Sequence, residues 1–278
     1  MSVPAGIDRP LSIPEIVDRA VTITVRRWQT LAVIVLIQAL PAALVTTFAP
    51  QYATIWTVVM LFVDPLLAAA VIVTATTPEM PSAGAALVSA ARRYRSLFVA
   101  QLLTGLIALG AALIVGIPLV LLSGLIGAGF GAIGVSTFAA IAIAIVLPTP
   151  NLVIAIIDPI VMLENMTAGD AVGIAFRRAR NAGWWRSWRL GLTYLAFDLL
   201  PTYALMAAGQ QMARLAHLPI VNAVLDMLTS GITLGIGIVV ATVISLEMRV
   251  RYDGSDLVAA LQARDGPQLP VDTESVTT

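Results

Sequence analysis

The chain has 278 residues, of which 59% are hydrophobic and only 12% charged, where an ordinary soluble domain carries roughly 45 to 50% and about 25%. A soluble fold of this size could not hide that much hydrocarbon, so the length is read as a series of spans of about 20 residues each. Zero net charge gives no reason to expect nucleic acid as a partner, and the absence of cysteine excludes disulfides, thiolate metal sites and cysteine nucleophiles.

The N-terminus does not read as a cleaved signal, because Asp8, Arg9, Glu15, Asp18 and Arg19 come before any long apolar run. Apolar stretches follow at 29–49, 54–77, 96–122, 134–160, 187–208 and 219–246. They predict about six transmembrane helices in an all-α, polytopic membrane helical bundle. Gly124, Gly127, Gly129, Gly131 and Gly134 blur the junction of the third and fourth. Pro41, Pro65, Pro118, Pro148, Pro150, Pro159 and Pro201 lie in or beside spans. They predict kinked or locally broken helices.

Orientation follows from arginine, since positively charged loops resist translocation. The basic residues are all arginine, a weak compositional pointer to a GC-rich bacterial genome. Fifteen of the sixteen fall before span one, between spans two and three, between four and five, or after six; Arg214 alone lies opposite. Both termini are expected on the cytoplasmic side of a bacterial inner membrane. The expected organisation is a membrane domain over 1–252 and a short, partly disordered cytoplasmic tail over 253–278.

The cytoplasmic connections repeat. Glu79 to Arg95 reads EMPSAGAALVSAARRYR and Glu164 to Arg180 reads ENMTAGDAVGIAFRRAR, with eight of seventeen positions identical. A looser copy, Ser12 to Arg27, precedes span one. This pattern predicts internal duplication. Ser12 with Glu15 and Thr167 with Asp170 form capping-box patterns, while Ser82 stands as an N-cap alone. Helical stripes of Ile13, Ile16, Ala20 and Ile23, of Leu87, Ala91 and Tyr94, and of Val172, Phe176 and Ala179 predict three amphipathic helices on the cytoplasmic face. The repeating unit is one surface helix plus two spans, with parallel copies.

Several of these segments also resemble a known family. The run from Pro159 to Glu164, Ala171 through Phe176-Arg177-Arg178, Gly183-Trp184-Trp185-Arg186, and Glu247 to Arg251 with Gly254 and Asp256-Leu257 are similar to the glycerophosphoryl diester phosphodiesterase membrane domain family and its bacterial relatives. The resemblance implies a membrane domain of repeated spans. Some members carry a phosphodiesterase barrel after the membrane part; the chain continues only about 30 residues past its last span and has one histidine, so that barrel is expected to be absent.

Few residues suit chemistry. Asp64, Asp198 and Asp226 fall inside spans, where acidic groups are costly and mark function by default. Asp64, Asn151 and Asp198 form a candidate polar pocket, with either a shared proton or cation, or structural bonding beside proline breaks, as its reading. His217 is a surface residue of the outer connection, and no cofactor or metal site is expected. Gly231 and Gly235 match a small-xxx-small pattern, read as packing within the monomer. The arginine pairs Arg26 and Arg27, Arg92 and Arg93, and Arg177 and Arg178 are candidate contacts for membrane lipids or a partner. Two function classes follow: a non-enzymatic accessory, scaffold or lipid-organising subunit, in a larger complex or a homo-oligomer, and a transporter or permease component using the intramembrane aspartates.

Overall fold

The computed structural model describes residues 10–114, 116–118, 145–198, 224, 227–228, 231 and 233–265 of the chain, with side chains to Arg251. The described residues are mostly helical and contain no strand. In chain order the helices are α1 (Ile13–Arg26), α2 (Trp28–Phe48), α3 (Ala53–Thr76), α4 (Ala83–Ala91), α5 (Tyr94–Pro118), α6 (Pro148–Glu164), α7 (Ala168–Asn181), α8 (184–198) and α9 (Ile238–Asp265).

Three of these are long and apolar enough to cross a membrane: Trp28–Phe48, Pro50–Thr76, which includes a 3-10 turn ahead of α3, and Tyr94–Pro118. Their outward surfaces are hydrocarbon. On α5, Leu106, Leu109, Leu113 and Ile114 are all exposed, an apolar face that only lipid or another protein would cover at acceptable cost. The expected spans at 134–160, 187–208 and 219–246 each run into residues outside the described set, as do Gly127 to Gly134, Asp226 and His217.

Pro41, Pro65 and Pro159 sit inside α2, α3 and α6, and each helix continues through its proline. No break of the helix falls at any of the three. Pro148 instead opens α6, where its missing N–H would have no helical partner anyway.

The three short helices start where their caps predict. α1, α4 and α7 begin one residue after Ser12, Ser82 and Thr167. Ser12 donates its backbone N–H and its hydroxyl to Glu15 Oε2 at 2.7 and 2.8 Å. Ser82 Oγ accepts from the Ala85 N–H at 3.2 Å, and Thr167 Oγ1 from the Asp170 N–H at 3.3 Å. Each short helix passes into a following helix after one or two non-helical residues: Arg27, Arg92-Arg93, and Ala182-Gly183.

Alanine dominates the faces that two of these helices turn toward the protein. In α4 the buried residues are Ala86 and Ala90, with Ala91 exposed. In α7 they are Ala168, Ala171, Ile174, Ala175, Arg178 and Ala179, and Phe176 is 49% exposed. Alanine lines the packed side because α4 lies close against α3 and α7 against α6, and a large side chain would hold the backbones apart. Val88 of α4 and Phe176 of α7 are exposed, while Leu87 and Val172 pack partly buried against the core. In α1, Ile16 and Ala20 are fully buried against the protein.

α9 is the central helix. From Val239 to Met248 every residue is buried, as expected of a helix that is apolar nearly all round. It packs against α1, α3, α6 and α7. A π-helical turn, Thr233–Gly237, leads into it. Gly231, just ahead of that turn, and Gly235, within it, both face Val35 of α2, so the small-residue pair packs within the monomer as expected. α9 continues to Asp265, past the expected boundary at 252/253.

One glycine allows a much closer approach. A Cβ on Gly191 of α8 would lie 1.9 Å from the Pro148 carbonyl oxygen. Trp188, one turn earlier, donates its indole N–H to the Ile145 carbonyl at 3.1 Å. These contacts set α8 across the start of α6.

Candidate functional site

α2, α3, α5, α6, α8, the π-helical turn and the start of α9 border a half-open cavity of about 260 Å³. Its polar lining comes from Gln38, Asp64, Gln101, Thr104, Asp158 and Tyr194. Gln38 is midway between Trp28 and Phe48 in α2, and Asp64 midway between Ala53 and Thr76 in α3. At about 1.5 Å per residue, both lie near the middle of their spans. Gln101 and Thr104 face the cavity from one side of α5, three residues apart.

The polar groups are only partly matched to one another. The Gln38 amide Nε2 donates to Asp64 Oδ1 at 3.0 Å. Gln38 Oε1 and Asp158 Oδ1 are buried without a hydrogen-bond partner among the described residues. Both orphaned atoms are acceptors. Buried polar atoms are otherwise satisfied in the great majority of cases, and an unmatched one costs about 1 to 3 kcal/mol. Among the described residues, no arginine or histidine lines the cavity.

Of the three residues expected in a polar pocket, Asp64 lines this cavity and the other two do not. Asn151 donates its Nδ2 to the Leu147 carbonyl at 2.9 Å, a local bond in the first turn of α6. Asp198 lies beside Gly237, in the π-helical turn.

Asp158 is the residue that sequence reasoning passed over. The expected span ended at 160, which placed Asp158 at a membrane boundary where a carboxylate is unremarked. The helix in fact runs to Glu164, so Asp158 lies about 9 Å inside its end. The available signal was the Asp-Pro pair, which occurs at Asp64-Pro65 and again at Asp158-Pro159.

The arginine pairs divide. Adjacent residues on a helix point about 100° apart, and in each pair the first arginine faces outward: Arg26, Arg92 and Arg177 are exposed. The second turns toward the protein. Arg27 donates to the Thr74 carbonyl, and at 3.5 Å to that of Pro78, so it caps the C-terminal end of α3. Burial lowers its pKa from the ordinary arginine value. Arg178 is 3% exposed and pairs with Glu164 at 2.5 Å. Arg93 is half-buried.

A second ion cluster joins distant segments. Glu247 of α9 is fully buried and accepts from Arg186 of α8 at 2.5 Å and from Arg251 one turn later. Arg186 also donates to the Leu11 carbonyl at 3.0 Å. The chain ahead of α1 is thereby tied to the two late helices.

No family model matches this chain, and no curated protein or solved structure shows detectable similarity to it.

Proposed function

We propose that this is a non-enzymatic protein of a bacterial cytoplasmic membrane, acting as an accessory or lipid-organising component through its arginine-bearing face. In this reading the chain crosses the membrane six times, as three parallel repeats of a surface helix and two spans. Both termini are cytoplasmic, and the resemblance to the glycerophosphoryl diester phosphodiesterase membrane domain family reflects common architecture without hydrolytic activity.

The carrying observation is the division of the arginine pairs. Arg27 and Arg178 are engaged by protein carbonyls and a carboxylate, while Arg26, Arg92 and Arg177 are left outward at the ends of α1, α4 and α7. Trp28, Trp184 and Trp185, next to these helix ends, are each more than 60% exposed. Exposed tryptophan beside arginine suits the headgroup level, and each such arginine near an anionic leaflet contributes about 1 kcal/mol.

The test is lipid retention. The chain is purified in native lipid and the phospholipids that remain bound are quantified. The triple change Arg26→Gln, Arg92→Gln and Arg177→Gln is expected to lower the anionic share several-fold, while Arg27→Gln alone leaves it unchanged. Equal anionic lipid on the triple variant and the parent would sink the reading, as would metal-dependent hydrolysis of a glycerophosphodiester by the purified chain.

A second reading, a transporter or permease component, is favoured by the mid-span cavity with its two carboxylates.

A further inference from the structure

We infer that the cavity between α2, α3, α5, α6, α8 and α9 is a binding site for a small organic ammonium ion with an apolar tail. The inference gives the second reading its ligand and does not depend on the arginine face.

Charge is decided first. Among the described residues, Asp64 and Asp158 line the cavity and no basic side chain does, so an anion would meet repulsion from this wall with nothing in it to offset the charge. The kind of hydrogen bonding is decided next. The two orphaned atoms, Asp158 Oδ1 and Gln38 Oε1, are acceptors, and Asp64 Oδ1 already accepts from Gln38. A ligand that satisfies them must bring donors. A primary ammonium carries three N–H donors and no acceptor, which matches the unmet groups in kind.

Size and wall chemistry separate this ligand from a bare metal ion. On the same measure a water needs roughly 10 to 15 Å³, so a cavity of about 260 Å³ has room for many heavy atoms. Ala68, Ile72, Ile154, Leu234, Ile238 and Ala241 form its apolar wall. A metal ion would lose hydration against that wall and gain nothing from it, and divalent calcium takes six to eight oxygen ligands. No cluster of three or more histidine, cysteine or acidic residues suited to a metal occurs among the described residues. An alkyl chain gains from the same wall by burial.

The experiment uses the full chain in lipid nanodiscs, with n-butylammonium as probe and 1-butanol, sodium and potassium at matched ionic strength as comparisons. Binding is read by calorimetry and by the shift in unfolding temperature. The expected result is saturable binding of butylammonium and none of the alcohol or the alkali ions. Asp158→Asn should weaken it at least tenfold, and Gln38→Leu should weaken it also. Asp158→Asn keeps the shape of the side chain, and size-exclusion behaviour and unfolding temperature without ligand confirm that each variant is folded; if Asp158→Asn does not fold, Gln38→Leu decides. Binding of sodium or potassium in place of butylammonium, no binding of any probe, or unchanged affinity in the folded variants each overturns the inference. Lipid retention by the arginine face is a separate measurement and is unaffected by any of these outcomes.

Discussion

At the scale of single residues, the charged groups inside this protein fall into two kinds. Glu164 and Arg178 neutralise each other across the α6–α7 turn, and both are nearly sealed from solvent. Asp158 has no such partner among the described residues. Breaking a buried pair leaves an uncompensated charge, which costs about 3 to 5 kcal/mol, whereas removing an exposed charge alters stability by about 0.5 kcal/mol or less. Glu164→Gln is therefore expected to lower unfolding free energy in detergent by several kcal/mol, and Arg177→Gln, one residue before Arg178, to leave it nearly unchanged. Comparable stability of the two variants would contradict the assignment of inward and outward arginines. At Gly191, even one methyl would enter the space of the Pro148 carbonyl. Gly191→Ala should cost about 1 to 3 kcal/mol, the range for overpacking, read from the same denaturation curves; a neutral result would mean that α8 does not cross α6 there.

At the scale of elements, helix starts were legible because they are local. A hydroxyl residue that satisfies free N–H groups acts within one turn, so Ser12, Ser82 and Thr167 marked α1, α4 and α7 to the residue. The buried faces of α4 and α7 were not legible. Hydrophobicity marked stripes through Leu87 and Phe176 for the membrane surface and said nothing of the side that meets the protein, where packing against a neighbouring helix rewards small residues. The chain puts Ala86, Ala90, Ala171 and Ala175 there. Ala175→Leu should consequently destabilise the folded chain by about 1 to 3 kcal/mol, while Phe176→Ala should alter unfolding little. Denaturation of both variants in matched lipid checks this, and a larger loss from Phe176→Ala would mean that Phe176, not Ala175, lies on the packed side.

At the scale of the whole molecule, the arginine distribution makes a topological prediction independent of any packing. A cytoplasmic reporter should be active when fused after Ser82, Thr167 or Ser255, and inactive after Pro50. Activity at Pro50 would reverse the orientation. Membrane character, the apolar helices Trp28–Phe48, Pro50–Thr76 and Tyr94–Pro118, the caps of the short helices and the place of Asp64 inside a span were determined by the sequence alone, because each depends on composition or on contacts within a few residues. Tertiary structure decided which groups meet. Gln38 and Asp64 are 26 residues apart and Asp158 follows 94 residues after Asp64, yet all three line one cavity. It likewise decided that Arg186, Glu247 and Leu11 share one cluster. Such meetings depend on how helices cross, and crossing is set by where close approach is tolerated, as at Gly191 against Pro148. No local pattern in the chain encodes which distant helix fills that space.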